Sequence, residues 1–279
     1  MIITSLLDSA VAIAEKRSQK PYHDVYSGRA HVLLQRSFFA MRSSSWLIIL
    51  SGFFEPVFYL LSFGYGVGQL VGEIEFNGAV IPYIAFIAPA LLATSAMNGA
   101  IYDSTWNVFF KMRYARTYQG MLSTSLGPLD VALGEIGWAL LRGFAYALGF
   151  MAIVSSLGIV VSIWSLLAVP TAVLIAFGFA SLGMAITSYL TSFQQMNWLN
   201  FFLLPMFLFS GTFFPLDIYP DAIQFVVKLL PLWHAVELMR DVMLGALHAG
   251  DLIHVGYFLT MIAVGLTFTT KRLTDLFMR

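Results

Sequence analysis

Few residues in this 279-residue chain have the type and spacing that chemistry needs. His248, Asp251 and His254 follow one another at intervals of three. Neither a His-x-x-His nor a His-Glu-x-x-His pattern occurs, so the triple reads as a loose surface cluster of solvated or locally satisfied groups, and no metal site is expected. Asp217 and Asp221, in Asp-Ile-Tyr-Pro-Asp, could be the paired carboxylates of a membrane-embedded transferase. Their proline-rich setting fits turn and helix-cap chemistry better, and no second acidic cluster accompanies them. There is no Gly-Lys dipeptide, so a Walker A phosphate loop is excluded, this chain cannot bind and hydrolyse ATP in that way, and any such energy comes from a partner. Without cysteine there is no disulfide, thiolate ligand or cysteine nucleophile. The chain is not expected to be an enzyme or to hold a cofactor.

Three ionisable residues lie in or beside long apolar stretches. Glu55, followed by Pro56, sits roughly 14 Å along its helix from Trp46 at 1.5 Å per residue, near mid-bilayer. It is either a gate or substrate contact, or a buried carboxyl, neutral or paired, that fixes helix packing. Arg142 either snorkels or pairs with Glu55, and Asp103 is expected in solvent.

The elements that must carry these residues are membrane spans. The chain is 59% hydrophobic and 11% charged, with mean hydropathy +0.80; a soluble domain carries about 25% charged residues. Net charge is zero, which points away from nucleic acid. Apolar runs predict an all-α integral membrane protein with six spans, about Trp46–Gly68, Ile84–Trp106, Ile136–Val161, Trp164–Leu190, Trp198–Phe214 and Ile253–Thr270. With the amino end inside, the cytoplasmic segments hold twelve basic residues and the outer loops two, Lys228 and Arg240. Both termini are therefore expected in the cytoplasm. All six tryptophans fall near the expected membrane boundaries.

The apolar stretch Ile2–Ala14 is too short to span, and its basic residues Lys16, Arg17 and Lys20 follow it, so a retained cytoplasmic end is expected instead of a cleaved signal. From Arg29 to Arg42, Val32, Leu33 and Phe39 alternate with arginines. This suits an amphipathic interfacial helix, or a plain linker into the first span. Residues 1–45 thus form a cytoplasmic segment and 46–279 one membrane domain. Beyond Trp198–Phe214, two amphipathic pieces split by Pro231 are each too short to cross. They predict an outer re-entrant hairpin involving Pro215, Asp217, Pro231 and Trp233, which needs a partner surface because free backbone at that depth is tolerated only against protein or a wet cavity.

Several stretches resemble, in order, the permeases of the type 2 ABC exporter superfamily. They are AFIAPALLATSAMNGAIYDSTWNVFFKMRYARTYQGMLSTSLGPLDVALGEIGWALLRG, FFEPVFYLLSFGYGVG, FASLGMAITS, and LFSGTFFPLDIYP followed by LPLWHAVELMRDVMLG. The similarity is greatest to permeases that export nodulation lipo-oligosaccharides (NodJ type) and to daunorubicin-resistance permeases, and it leaves the first 28 residues uncovered. The resemblance implies a subunit that works in a bacterial cytoplasmic membrane with a second permease, identical or paralogous, and two separate ATP-binding cassette ATPases. It also implies a coupling helix between the second and third spans, which maps onto Phe109–Leu126. There Phe109 opens the coupling loop, Lys111, Arg113 and Arg116 supply charge with the two arginines exposed, Tyr114 and Tyr118 can anchor a contact, and Gly120 permits a bend.

The remaining candidates form an apolar path. Either these side chains merely face lipid or pack within the bundle, or a two-fold dimer brings Phe54, Glu55, Phe58 and Tyr59 on the first span together with Met206, Phe207 and Ser210 on the fifth around a central apolar cleft. Aromatic walls with few polar groups suit an amphiphile, with a glycolipid or lipid-linked saccharide favoured over a hydrophobic drug. The competing classes are a membrane-embedded transferase and an assembly scaffold.

Overall fold

The computed structural model describes residues 25–42, 46–76, 78–159 and 162–278. The expectations for Ile2–Ala14, Lys16, Arg17 and Lys20 lie outside the described residues.

The chain folds as a bundle of helices. Helix α1 (Ala30–Arg42) is followed by α2 (Trp46–Leu61), which continues through a widened turn at Ser62–Val67 to Val71. A short antiparallel ribbon, β1 (Glu73–Phe76) and β2 (Ala79–Pro82), pairs Glu73 with Pro82 and Phe76 with Ala79. Helix α3 (Tyr83–Tyr102) runs on through widened turns to Tyr114 and is succeeded by the short α4 (Thr117–Leu122). Then come α5 (Pro128–Ser156), α6 (Ala168–Tyr189), α7 (Asn197–Phe209), α8 (Asp221–Lys228), α9 (Pro231–Leu244) and α10 (Asp251–Phe277).

Helix α3 is apolar on every face and is accordingly the buried centre, packed against α2, α5, α6 and α9. Helix α10 lies along α6. Their backbones approach closely where Gly265 faces Ser181, since a Cβ on Gly265 would come within 2.7 Å of the Ser181 side chain. The amphipathic face of α1 packs on α5: a Cβ on Gly134 would meet the Leu33 side chain at 2.5 Å, and one on Gly137 would meet Leu34 at 3.1 Å. The Asp130 carboxylate in the first turn of α5 holds the entry to α1. It accepts from the Ser27 backbone and hydroxyl at 2.7 and 2.8 Å, the Arg29 backbone at 2.7 Å and the Gly127 backbone at 3.0 Å.

Four features of the structure bear on the expected element pattern. Four helical segments among the described residues are long and apolar enough to cross a membrane: 83–114, 128–156, 163–189 and 251–277. The stretch from Trp198 is helical only to Phe209, because its backbone opens at Ser210–Phe214. Helices α8 and α9 meet at 86°, a sharp corner at Pro231. The β-ribbon went unforeseen because its four-residue strands are too short to stand out beside apolar helices.

Candidate functional site

One candidate region is the elbow after α3. Arg116 has φ +49°, a left-handed conformation costly for a residue with a Cβ, and there the rod formed by residues 83–114 breaks. Gly120, expected to make the bend, instead lies within α4 with open space where a Cβ would go. Tyr114 is exposed and stacks on exposed Phe110 with ring centroids 5.8 Å apart. Tyr118, expected to anchor a contact, is buried, as is Phe109 at the start of the expected coupling loop, so they brace the elbow from beneath. Burial, followed by the nearby Glu135 carboxylate, raises Tyr118 well above the ordinary phenol range and keeps it neutral.

Two ties join the elbow to neighbouring helices. Lys111 Nζ lies 2.6 Å from Glu135 Oε2 on α5. Arg113, expected to be exposed, donates from Nε and Nη2 to the Leu190 carbonyl at 3.2 and 2.9 Å, satisfying an orphan acceptor at the end of α6. The surface left to a partner comprises Phe110, Tyr114, Arg116 and Gly120. Phe110 went unnoticed because the sequence does not distinguish the outer from the inner face of an apolar turn.

A second region joins α2 to α7. Phe54, Glu55, Phe58 and Tyr59 are all exposed, on one face of α2, and Phe54 stacks on Phe58 at 5.5 Å. Tyr59 meets half-buried Phe207 at 6.2 Å, and Phe207 and Phe63 both meet Phe213, at 5.1 and 4.9 Å. Met206 is half-buried. Ser210 does not line this surface: it is fully buried, and its hydroxyl donates back to the Met206 carbonyl. Glu55 is neither buried nor paired with Arg142. Arg142 instead pairs with Asp103, which is buried and also accepts from Asn107 at 2.7 Å, so Asp103 is not a solvated charge.

The opposite end of the bundle centres on Arg240. The sequence places it in an outer loop, yet it is 1% exposed. Its guanidinium donates to the Gly211 carbonyl at 2.8 Å and the Phe86 carbonyl at 3.4 Å, and pairs with Glu237 at 2.8 Å. It also stands 4.0 Å over the Phe86 ring and 5.0 Å over that of Phe76. One cation thus fastens α9, the backbone opening after α7, the start of α3 and the β-ribbon. Pro215 precedes a single tight turn at Leu216–Ile218 with Asp217 exposed, and Pro231 opens α9. Trp233 is half-buried against His254, with ring centroids 5.4 Å apart.

The histidine and aspartate triple is split. His254 turns to His234, the two Nδ1 atoms 2.7 Å apart, while His248 and Asp251 meet Asp241, a residue outside the expected pattern.

A family model described as ABC-2 type transporter matches residues 29–244. The chain is similar to Nodulation protein J of Rhizobium leguminosarum bv. viciae, with 32% identity over 246 residues covering 88% of this chain and 93% of that protein. It is 33% identical to Nodulation protein J of Sinorhizobium fredii, covering 79% and 83% respectively. Nodulation protein J of Neorhizobium galegae is 29% identical, with 86% and 92% covered.

Proposed function

We propose, from the premise that the chain belongs to the ABC-2 type transporter family, that it is one of two permeases through which an exporter driven by two separate ATPases moves an amphiphile out across a bacterial cytoplasmic membrane. The observation that carries the coupling role is the elbow at Arg116. Exposed Phe110, Tyr114 and Arg116 offer an ATPase a contact, and the ties from Lys111 to Glu135 and from Arg113 to Leu190 would pass a push at that contact to α5 and α6. ATP and Mg then belong to the partner, in keeping with the missing phosphate loop.

A six-span arrangement with both termini cytoplasmic accommodates the shorter helices. The helical rod from Trp46 to Val71 is long enough to cross at 1.5 Å per residue. Helix α7 reaches only about 20 Å, and the opened backbone beyond it is tolerable at membrane depth because Ser210, Gly211, Thr212 and Phe213 are all buried in protein. Helices α8 and α9, at 8 and 14 residues, are each too short to cross and form the outer re-entrant hairpin. With Arg240 buried, Lys228 is the remaining solvated cation of the outer loops, which sharpens the positive-inside asymmetry.

Glu55 and its aromatic neighbours support a second permease. A carboxyl exposed on the face of one chain near mid-bilayer is costly against lipid, and a wet cleft between two chains relieves that cost. The same cleft, walled by Phe54, Phe58, Tyr59, Met206 and Phe207, favours a glycolipid or lipid-linked saccharide over a bare polar solute. Photo-crosslinking side chains at Phe54, Phe58 and Phe207 in the active complex should capture a second permease and a lipid-linked saccharide. Capture of neither, with transport intact, would overturn the path.

A further inference from the structure

Three residues, Asp241, His248 and Asp251, gather at the turn between α9 and α10. Asp241 lies in the last turn of α9, His248 on the turn, and Asp251 at the start of α10; His248 and Asp251 fall beyond the family match. Their ligand atoms all lie within 4.8 Å of one another. His248 Nδ1 is 3.0 Å from Asp251 Oδ1 and 3.6 Å from Asp241 Oδ2, and Asp251 Oδ2 accepts the His248 backbone N–H at 2.9 Å.

Burial sets this cluster apart from an ordinary acidic surface. Asp241 is 3% exposed and Asp251 6%. Buried carboxylate oxygens are nearly always supplied with donors, yet Asp241 Oδ1 is out of solvent and has none among the described residues. Arg240, its neighbour in sequence, is directed instead to Glu237, Gly211 and Phe86. Two buried acids therefore face each other with one imidazole between them, and the 59% exposed side chain of His248 leaves an entry from solvent.

We propose that Asp241, His248 and Asp251 bind a divalent transition cation of the Zn2+ class. A tetrahedral ion with ligands at about 2.0–2.1 Å holds them roughly 3.3 Å apart, and the observed 3.0 and 3.6 Å straddle that separation. Two carboxylate oxygens and an imidazole nitrogen match Zn2+ better than Ca2+ or Mg2+, which take oxygen ligands. The cation neutralises both carboxylates, and water completes the coordination. Bound there, it staples the end of α9 to the start of α10 and so holds the hairpin helix whose Arg240 grips α3.

The test uses the intact, tag-free protein in detergent, stripped with a chelator and dialysed against Zn2+. One equivalent per chain should bind and raise the melting temperature. His248→Ala, which removes an exposed side chain, should weaken binding by more than the roughly 10–100-fold lost with a residue that merely supports a ligand. His248→Cys should restore it, because a thiolate is a good zinc ligand. Absence of binding by the folded wild-type chain overturns the proposal, leaving the two acids to share a proton. Equal binding by wild type and His248→Ala overturns it as well, since the ion then sits elsewhere.

Discussion

Arg240 shows how much a single side chain can organise. Taking a guanidinium out of water is costly unless its donors are met and an opposite charge is near. Here the carbonyls of Gly211 and Phe86 and the Glu237 carboxylate meet those requirements, with aromatic faces covering the planar group. Arg240→Ala leaves those acceptors without their donor and should destabilise the protein by about 3–5 kcal/mol, read as a lowered melting temperature in detergent. Arg240→Lys should rescue little, because an ammonium cannot reproduce the planar fork or its stacking. Wild-type melting behaviour in both variants would show that the contacts carry no net stabilisation. The sequence places Arg240 among loop charges because Gly211 is 29 residues away and Phe86 is 154.

At the scale of the element, the proposed coupling role divides between residues that face outward and residues tied to the bundle. Arg116 is exposed at the break in the rod, whereas Arg113 is tied to the end of α6. Arg116→Glu, or a bulky residue at Gly120, should weaken ATPase association by at least about 1 kcal/mol, measured by co-purification or titration with the ATPase. Arg113→Ala should leave association near wild type but lower transport per ATP hydrolysed, since the tie to α6 is lost. If both arginine variants behave alike, the two roles are not separate. A basic loop between two apolar runs was legible, and the family resemblance mapped a coupling helix onto Phe109–Leu126, but the bend expected at Gly120 falls at Arg116. Which side chains face outward was not legible, and Phe109 and Tyr118 prove to be buried beneath the elbow.

For the whole molecule the decisive quantity is sidedness. The chain has no cysteine, so single cysteines at Thr117 and Asp221 can be introduced without background. Thr117 lies at the elbow and Asp221 is exposed at the start of α8, near the other end of the bundle. An impermeant thiol reagent applied to intact cells should label the Asp221 variant and reach the Thr117 variant only after lysis. Labelling of both from outside would exclude the six-span arrangement with a cytoplasmic elbow.

Composition and apolar run length determined that this is a helical membrane protein, and the absent Gly-Lys pair excluded a Walker A site. The order of its motifs carried the family. These are local or additive properties, because transfer from water to lipid sums residue by residue along the chain. Tertiary structure decided the partners: Asp103 for Arg142, Leu190 for Arg113, His234 for His254, and Asp241 for His248 and Asp251. It also decided that the backbone after Phe209 could open, since burial of residues 210–213 shields polar groups that lipid would not tolerate. A charge or hydrogen bond is worth what its surroundings make it, and those surroundings come from segments far apart in the chain.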